Sequence, residues 1–171
     1  LFPYTTLFRS PGKSPGAFAH PTVPSAHPYL LVNYLGKTRD VMTLAHELGH
    51  GVHQVLAGGQ GQLMSNTPLT LAETASVFGE TVTFGRLLEE TTDPSARLAL
   101  LAESLEGQIA TVFRQIAMNR FENRVHTERR EAGELSSERI GELWIECQRD
   151  LFGDSVGVDG YDAWWSYVPH F

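Results

Sequence analysis

Hydrophobic and polar positions along the chain change period several times, and each change marks an element. "YLLVNY", Tyr29 to Tyr34, is aromatic and β-branched and lies between Pro28 and Gly36. It predicts a short strand, although Leu30, Leu31 and Val32 in a row blur the alternation. The preceding "PGKSPGAFAHPTVPSAHP" holds five prolines and two glycines, which exclude regular helix and predict loop or extended chain. Beyond the strand, Asp40 is placed to cap a helix running to about Ala57, where Gly58 and Gly59 stop it. A glycine-rich connection leads to a second helix from about Thr70 to Glu90. "TDP", Thr92 to Pro94, then supplies a cap and a first-turn proline for a long third helix. In it Leu98, Leu101, Leu105, Ile109, Val112 and Ile116 recur at three and four, the stripe of a helix buried along one side. The charged "ENRVHTERRE" follows, and Gly133 marks a turn. Ser136 or Ser137 can cap a fourth helix to about Phe152, and "YDAWWSYV" begins a fifth helix or an extended segment. Four or five helices stand against one strand, with no internal repeat, so the class is mainly α.

Composition narrows the function. The chain has 171 residues, 42% hydrophobic and 19% charged, which suits one ordinary globular domain. Its formal net charge of -7 offers no basic face for phosphate, so neither nucleic acid nor an anionic membrane is an expected partner, and no obligate protein partner is evident. No apolar run approaches the roughly 18 residues that span a bilayer. Cys147 is the single cysteine, which excludes an internal disulfide and favours a reducing, cytoplasmic setting.

The first ten residues, "LFPYTTLFRS", read codon by codon as a common short-read sequencing adapter. Leu1 to Ser10 are therefore expected to be foreign to the fold, which would begin in earnest at Pro11. The aromatic "WWSYVPHF" at Phe171 asks for burial, and suggests a domain interrupted there as well.

The candidate chemistry lies in "LAHELGHGVHQ". His46, Glu47 and His50 form H-E-x-x-H inside the first predicted helix, so the two imidazoles project from one face a turn apart and can reach one ion. A catalytic zinc site takes three protein ligands and leaves a fourth position for water. The arrangement H-E-x-x-H-x-x-G-x-x-H is excluded, because His53 stands where its glycine would be and Leu56 where its third histidine would be. Glu73 and Glu80, seven apart on the second helix, can instead serve as the third ligand and as the acceptor of a ligand histidine's free N–H, respectively.

Taken together, "HPYLLVNYLGKTRDVMTLAHELGHGVH", "TPLTLAETASVFGE" and "WWSYVPHF" resemble the M3 family of zinc oligopeptidases, in particular its oligoendopeptidase F branch, over nearly all of Pro11 to Phe171. The resemblance implies His46, His50 and Glu73 on one Zn2+ per chain, Glu47 as catalytic base, Glu80 as acidic neighbour and His170 facing substrate. It implies a mainly α, zincin-like metallopeptidase region with one short strand or small sheet, truncated at both ends. The implied activity is hydrolysis of short peptides by a zinc-activated water. Tyrosine and histidine side chains that help stabilise the oxyanion in the family fall beyond "PHF", so turnover of residues 11–171 alone is expected to be impaired. Two alternatives are a non-catalytic zinc-binding helical fragment and a dipeptide-releasing carboxypeptidase of the same family.

Other residues carry plainer expectations. His53 shares the side of His46 but would close the site to water as a fourth ligand, so it is read as structural or as a partner to a ligand. His20, His27 and His126 are read as surface groups, and Cys147 as a small buried hydrophobe. Gly49, costly inside a helix, implies either a close approach by another backbone or substrate, or simple packing. The resemblance further implies that strand Tyr29 to Tyr34, beside the motif helix, offers an edge to an extended substrate.

Overall fold

Tyr29–Tyr34 forms a strand whose Leu30 and Val32 are buried while Tyr29 is exposed, so the alternation that the three apolar residues obscured is present in space. The computed structural model describes residues 6–8 by their backbone, together with residues 11–13 and 15–168. A small three-stranded sheet holds β1 (Thr6–Phe8), β2 (Phe18–His20) and β3 (Tyr29–Tyr34) in the order β1-β3-β2. β2 runs antiparallel to β3 with Phe18 opposite Leu31 and His20 opposite Tyr29, and β1 runs parallel to β3. β1 lies within the adapter-like segment. It pairs with a register shift between Thr6 and Phe8, and ladder pairing uses backbone groups that every residue except proline carries. Neither three-residue strand is long enough to show an alternation in sequence.

Two corrections follow from this topology. β3 is the centre of the sheet, so the expected substrate edge at Tyr29 to Tyr34 is covered on both sides, and β2 is an edge instead. Asp40 is the third residue of helix α1 (Thr38–Ala57), after an N-cap at Lys37; its carboxylate accepts from the backbone N–H of Lys37 at 3.0 Å and of Leu35 at 2.8 Å. Those bonds hold its carboxyl below the usual carboxylate range and fasten the β3-to-α1 turn.

The helix expected from Thr70 to Glu90 is broken. A single turn, α2 (Leu69–Ala72), ends at Glu73, and α3 (Thr74–Glu90) begins after it. Glu73 has φ -86° and ψ -2°, in the sparsely occupied bridge region between helix and strand. Helices α1 and α3 then cross at glycine. A Cβ on Gly49 would lie 2.4 Å from the Ala75 carbonyl oxygen and 2.7 Å from Ser76 Cα, and one on Gly79 would lie 2.7 Å from the Ala45 carbonyl oxygen. The approach inferred at Gly49 is therefore that of another backbone.

The chain divides into two compact units, Leu1–Arg97 and Leu98–Phe171, with the boundary inside α4 (Pro94–Ile109). Asp93 caps α4, its carboxylate accepting from Ala96 N–H at 2.8 Å, as the "TDP" signal implied. A π-helical turn, Ala110–Arg114, separates α4 from α5 (Gln115–Ala132). Ser136 caps α6 (Ser137–Phe152). The core of the second unit is Phe121 and Val125 of α5 against Leu143, Trp144 and Cys147 of α6, with Phe121 and Trp144 edge to face at 5.1 Å. Arg139 bridges Glu128 at 2.7 and 2.9 Å, and Arg124 meets Glu146 at 2.7 Å. "YDAWWSYV" yields a 3-10 turn, Trp164–Tyr167, rather than a full helix.

The stripe expected to be core is not buried in this chain. Leu98 is 68% exposed and Leu101, Leu105, Ile109, Val112 and Ile116 are exposed too, while burial on α5 falls on Ala117, Phe121 and Val125. A π turn inserts an extra residue into the helical repeat, which displaces the buried face of α5 from the row that runs through Ile116, whereas α4, before the turn, buries none of its residues. His126 is exposed and Cys147 is buried, as expected. No helix among the described residues is long and apolar enough to cross a membrane.

The glycine crossing can be tested directly. Gly79→Ala is expected to destabilise the fold by about 1–3 kcal/mol through overpacking. Gly85→Ala, in the same helix with nothing within 4 Å of the added methyl, is expected to stabilise it by about 0.4–1 kcal/mol. Urea unfolding of the two variants beside the parent measures both.

Candidate metal centre

Helical periodicity places His46 and His50 on one face of α1, and their Nε2 atoms lie 3.2 Å apart. The glycine crossing brings the start of α3 against that face. Glu73 Oε2 lies 3.1 Å from His46 Nε2 and 3.3 Å from His50 Nε2. Among the described residues, these three side chains are the group able to hold a metal ion. Four donors at the usual zinc-to-nitrogen and zinc-to-oxygen distances, about 2.0–2.2 Å, sit at tetrahedron corners about 3.3–3.6 Å apart. The observed triangle is a slightly contracted face of such a tetrahedron.

The protonation of His46 sharpens the fit. Its Nδ1–H donates to Glu80 Oε1 at 2.5 Å, so a neutral imidazole turns its Nε2 lone pair inward. That lone pair then faces a carboxylate oxygen and a second ring nitrogen. Three candidate ligand atoms converge where one cation could be shared among them, and the two nitrogen donors suit zinc or another borderline metal better than magnesium or calcium. His46, His50, Glu73 and Glu80 are thus brought together as the sequence placed them.

Glu47 lies beside this triangle and is 6% exposed, with its Oε2 buried and without a hydrogen-bond partner. Burial pushes its carboxyl above the usual range, against the pull of His46 and His50 and with a smaller push from Glu73. His46, Glu47, His50 and Glu73 line a cavity of about 550 Å³ with Phe18 and Ala19 of edge strand β2. Gln54 of α1 donates its side-chain N–H to the Ala19 carbonyl at 3.2 Å and ties that strand to the motif helix.

His53 borders the same cavity but stays out of the donor triangle, with its Nε2 3.5 Å from Thr67 Oγ1. His20 is exposed and His27 half-buried, and both lie outside the triangle. His170 falls outside the described residues. One residue escaped the sequence reading. Ser76 is wholly buried, and its hydroxyl reaches Glu73 Oε2 at 2.7 Å and the Glu73 carbonyl at 3.0 Å. A serine three residues after a candidate ligand, at the start of a helix, was the available signal.

A helical region with two motif histidines and an acidic helix packed behind them is the layout of a metallopeptidase centre, and comparison with known proteins places it. The sequence matches Peptidase family M3 over residues 3–169, and the chain belongs to that family. It is 31% identical to Oligopeptidase PepF of Bacillus subtilis over 98% of its own length and 25% of the relative's. Against the plasmid-borne Oligoendopeptidase F of Lactococcus lactis subsp. cremoris it is 34% identical over 94% of its length and 27% of the relative's. A crystal structure from Chlamydophila abortus assigned as a peptidase superposes with a TM-score of 0.76 at 27% identity, over 98% of this chain and 28% of that one. The chain therefore spans about a quarter of the length of these relatives.

Burial of Glu47 has a consequence for stability in the metal-free protein. Its folded pKa lies above the ordinary value near 4.5, so the fold favours the neutral carboxyl. That contribution is complete below about pH 4.5 and is lost as pH rises through the folded value. Glu47→Gln cannot ionise, so its melting temperature is expected to exceed the parent's at neutral pH, with the gap closing towards pH 4. Thermal melts of both metal-free proteins across that range check the sign.

Proposed function

We propose that this chain carries the catalytic centre of a zinc-dependent endopeptidase acting on short peptides, with one zinc per chain held by His46, His50 and Glu73. The observation that carries the proposal is the triangle of three converging ligand atoms, with the buried, unpartnered Oε2 of Glu47 beside it. A bound zinc would polarise a peptide carbonyl and acidify a coordinated water. Glu47 accepts the proton of the attacking water, whose oxygen bonds to the carbonyl carbon. It returns that proton to the amine nitrogen as the C–N bond breaks. Glu80 holds the proton of His46 on Nδ1 and so keeps Nε2 available as a donor. Edge strand β2 can pair with an extended peptide through backbone groups, a recognition mode with little dependence on side chains. The free, buried Cys147 accords with a cytoplasmic setting.

The test measures bound zinc after dialysis and cleavage of internally quenched peptides. The parent is expected to hold one equivalent and Glu73→Ala far less. In a parent protein that cleaves these peptides, Glu47→Ala is expected to keep its zinc and lose about 10²–10⁴-fold in turnover. Zinc binding without turnover would favour a non-catalytic metal-binding role. Release of dipeptides only from free C-termini would favour a carboxypeptidase.

A further inference from the structure

Ser76 sits at the α1–α3 crossing, where a Cβ on Gly49 would meet the Ala75 carbonyl oxygen at 2.4 Å and the Ser76 Cα at 2.7 Å. Its side chain is fully buried, and the hydrogen bonds of its hydroxyl go to Glu73 alone. The carboxylate it reaches needs such a partner. Glu73's side chain is 61% exposed, occupies the N-cap position of α3 and makes no capping bond to its own helix, so its backbone neighbours do not select its rotamer. Yet Oε2 lies within 3.3 Å of both histidine nitrogens. The same oxygen takes the Ser76 hydroxyl at 2.7 Å.

We propose that Ser76 is the positioning residue of the metal centre: its buried hydroxyl holds the Glu73 carboxylate with Oε2 turned towards His46 and His50, and so sets metal affinity. This rests on the reading of His46, His50 and Glu73 as ligands. The hydroxyl has one proton for two acceptors, the carbonyl and the carboxylate of one residue. Either bond anchors Glu73 to the first turn of α3, and the bond to Oε2 also fixes its side chain. Without it the glutamate pays its full rotamer entropy when it binds an ion. Hydrogen bonds behind metal ligands are typically worth about 10–100-fold in affinity, which is the size of effect assigned here.

The test uses the chain itself and needs no peptidase activity. Zinc affinity is measured by competition with a chromophoric chelator for the parent, Ser76→Ala, Ser76→Thr, Glu73→Ala and the double variant Ser76→Ala with Glu73→Ala. The absorption of cobalt-loaded protein and the melting temperature of metal-free protein are recorded beside it. Ser76→Ala is expected to bind zinc about 10–100-fold more weakly, to alter the cobalt spectrum and to melt in its metal-free form close to the parent. Ser76→Thr keeps the hydroxyl and is expected to recover affinity. Should the extra methyl prevent folding, the double variant decides, because removing Ser76 where Glu73 is already gone should change nothing further. Parent-like affinity in Ser76→Ala, or the same loss with Glu73 present and absent, overturns the positioning role and leaves the proposed function standing. A parent that takes up no metal overturns both.

Discussion

Everything at this centre depends on two helices being allowed to touch. Gly49 and Gly79 face each other across the α1–α3 crossing with backbone atoms where side chains would otherwise stand. At ordinary helix separations, about 8–10 Å between axes, the carboxylates of α3 would stand farther from the imidazoles of α1. With the glycines the helices close up, Glu73 reaches both Nε2 atoms, and Glu80, two turns on, reaches the opposite nitrogen of His46. The helical glycine of H-E-L-G-H, costly by propensity, is thus a geometric requirement of the site.

That closeness creates an electrostatic problem which the same residues shape. Three candidate ligand atoms converge within 3.3 Å of one another while Glu47 is driven from water beside them. A protein designed only for stability would separate these groups or pair each with a donor. Glu80 provides a donor-acceptor match for the outer nitrogen of His46, but this orients the inner lone pair inward and heightens the need for a cation. The raised carboxyl of Glu47 and the unpartnered Oε2 express the same compromise.

Which parts were visible in sequence follows from how local their causes are. The spacing of His46 and His50 is one helical turn, so helix geometry aligned them, and the seven residues from Glu73 to Glu80 put both carboxylates on the side of α3 that meets α1 although Glu73 itself stands at the break before that helix. The caps at Asp93 and Ser136 are equally local. The edge position of β2 depends on pairing between chain segments and left no periodic trace in three residues. The break at Glu73 adds a residue in the bridge region inside a stretch whose composition reads as continuous helix. The π turn at Ala110–Arg114 shifts the phase only for the residues after it, so Ile116 gives way to Ala117 on the buried face; Leu98 to Ile109 precede it on a helix that buries none of its residues, and spacing shows which side of a helix is apolar without showing what covers it. Ser76 was passed over because one small polar residue in a helix has many uses, and only its distance to Glu73 selects among them.

The break at Glu73 and the bond from Ser76 are two halves of one solution. A glutamate within an uninterrupted helix would have its rotamers restricted by the preceding turn and would leave its face at a fixed angle. Placing Glu73 between α2 and α3 frees both backbone and side chain to turn towards α1, at the expense of order. The hydroxyl three residues later restores that order from within the buried crossing, where the glycines have already fixed the backbone. The proposed ligand set thus combines two histidines fixed one turn apart on α1 with a glutamate whose carboxylate meets the hydroxyl of a residue buried at the glycine crossing.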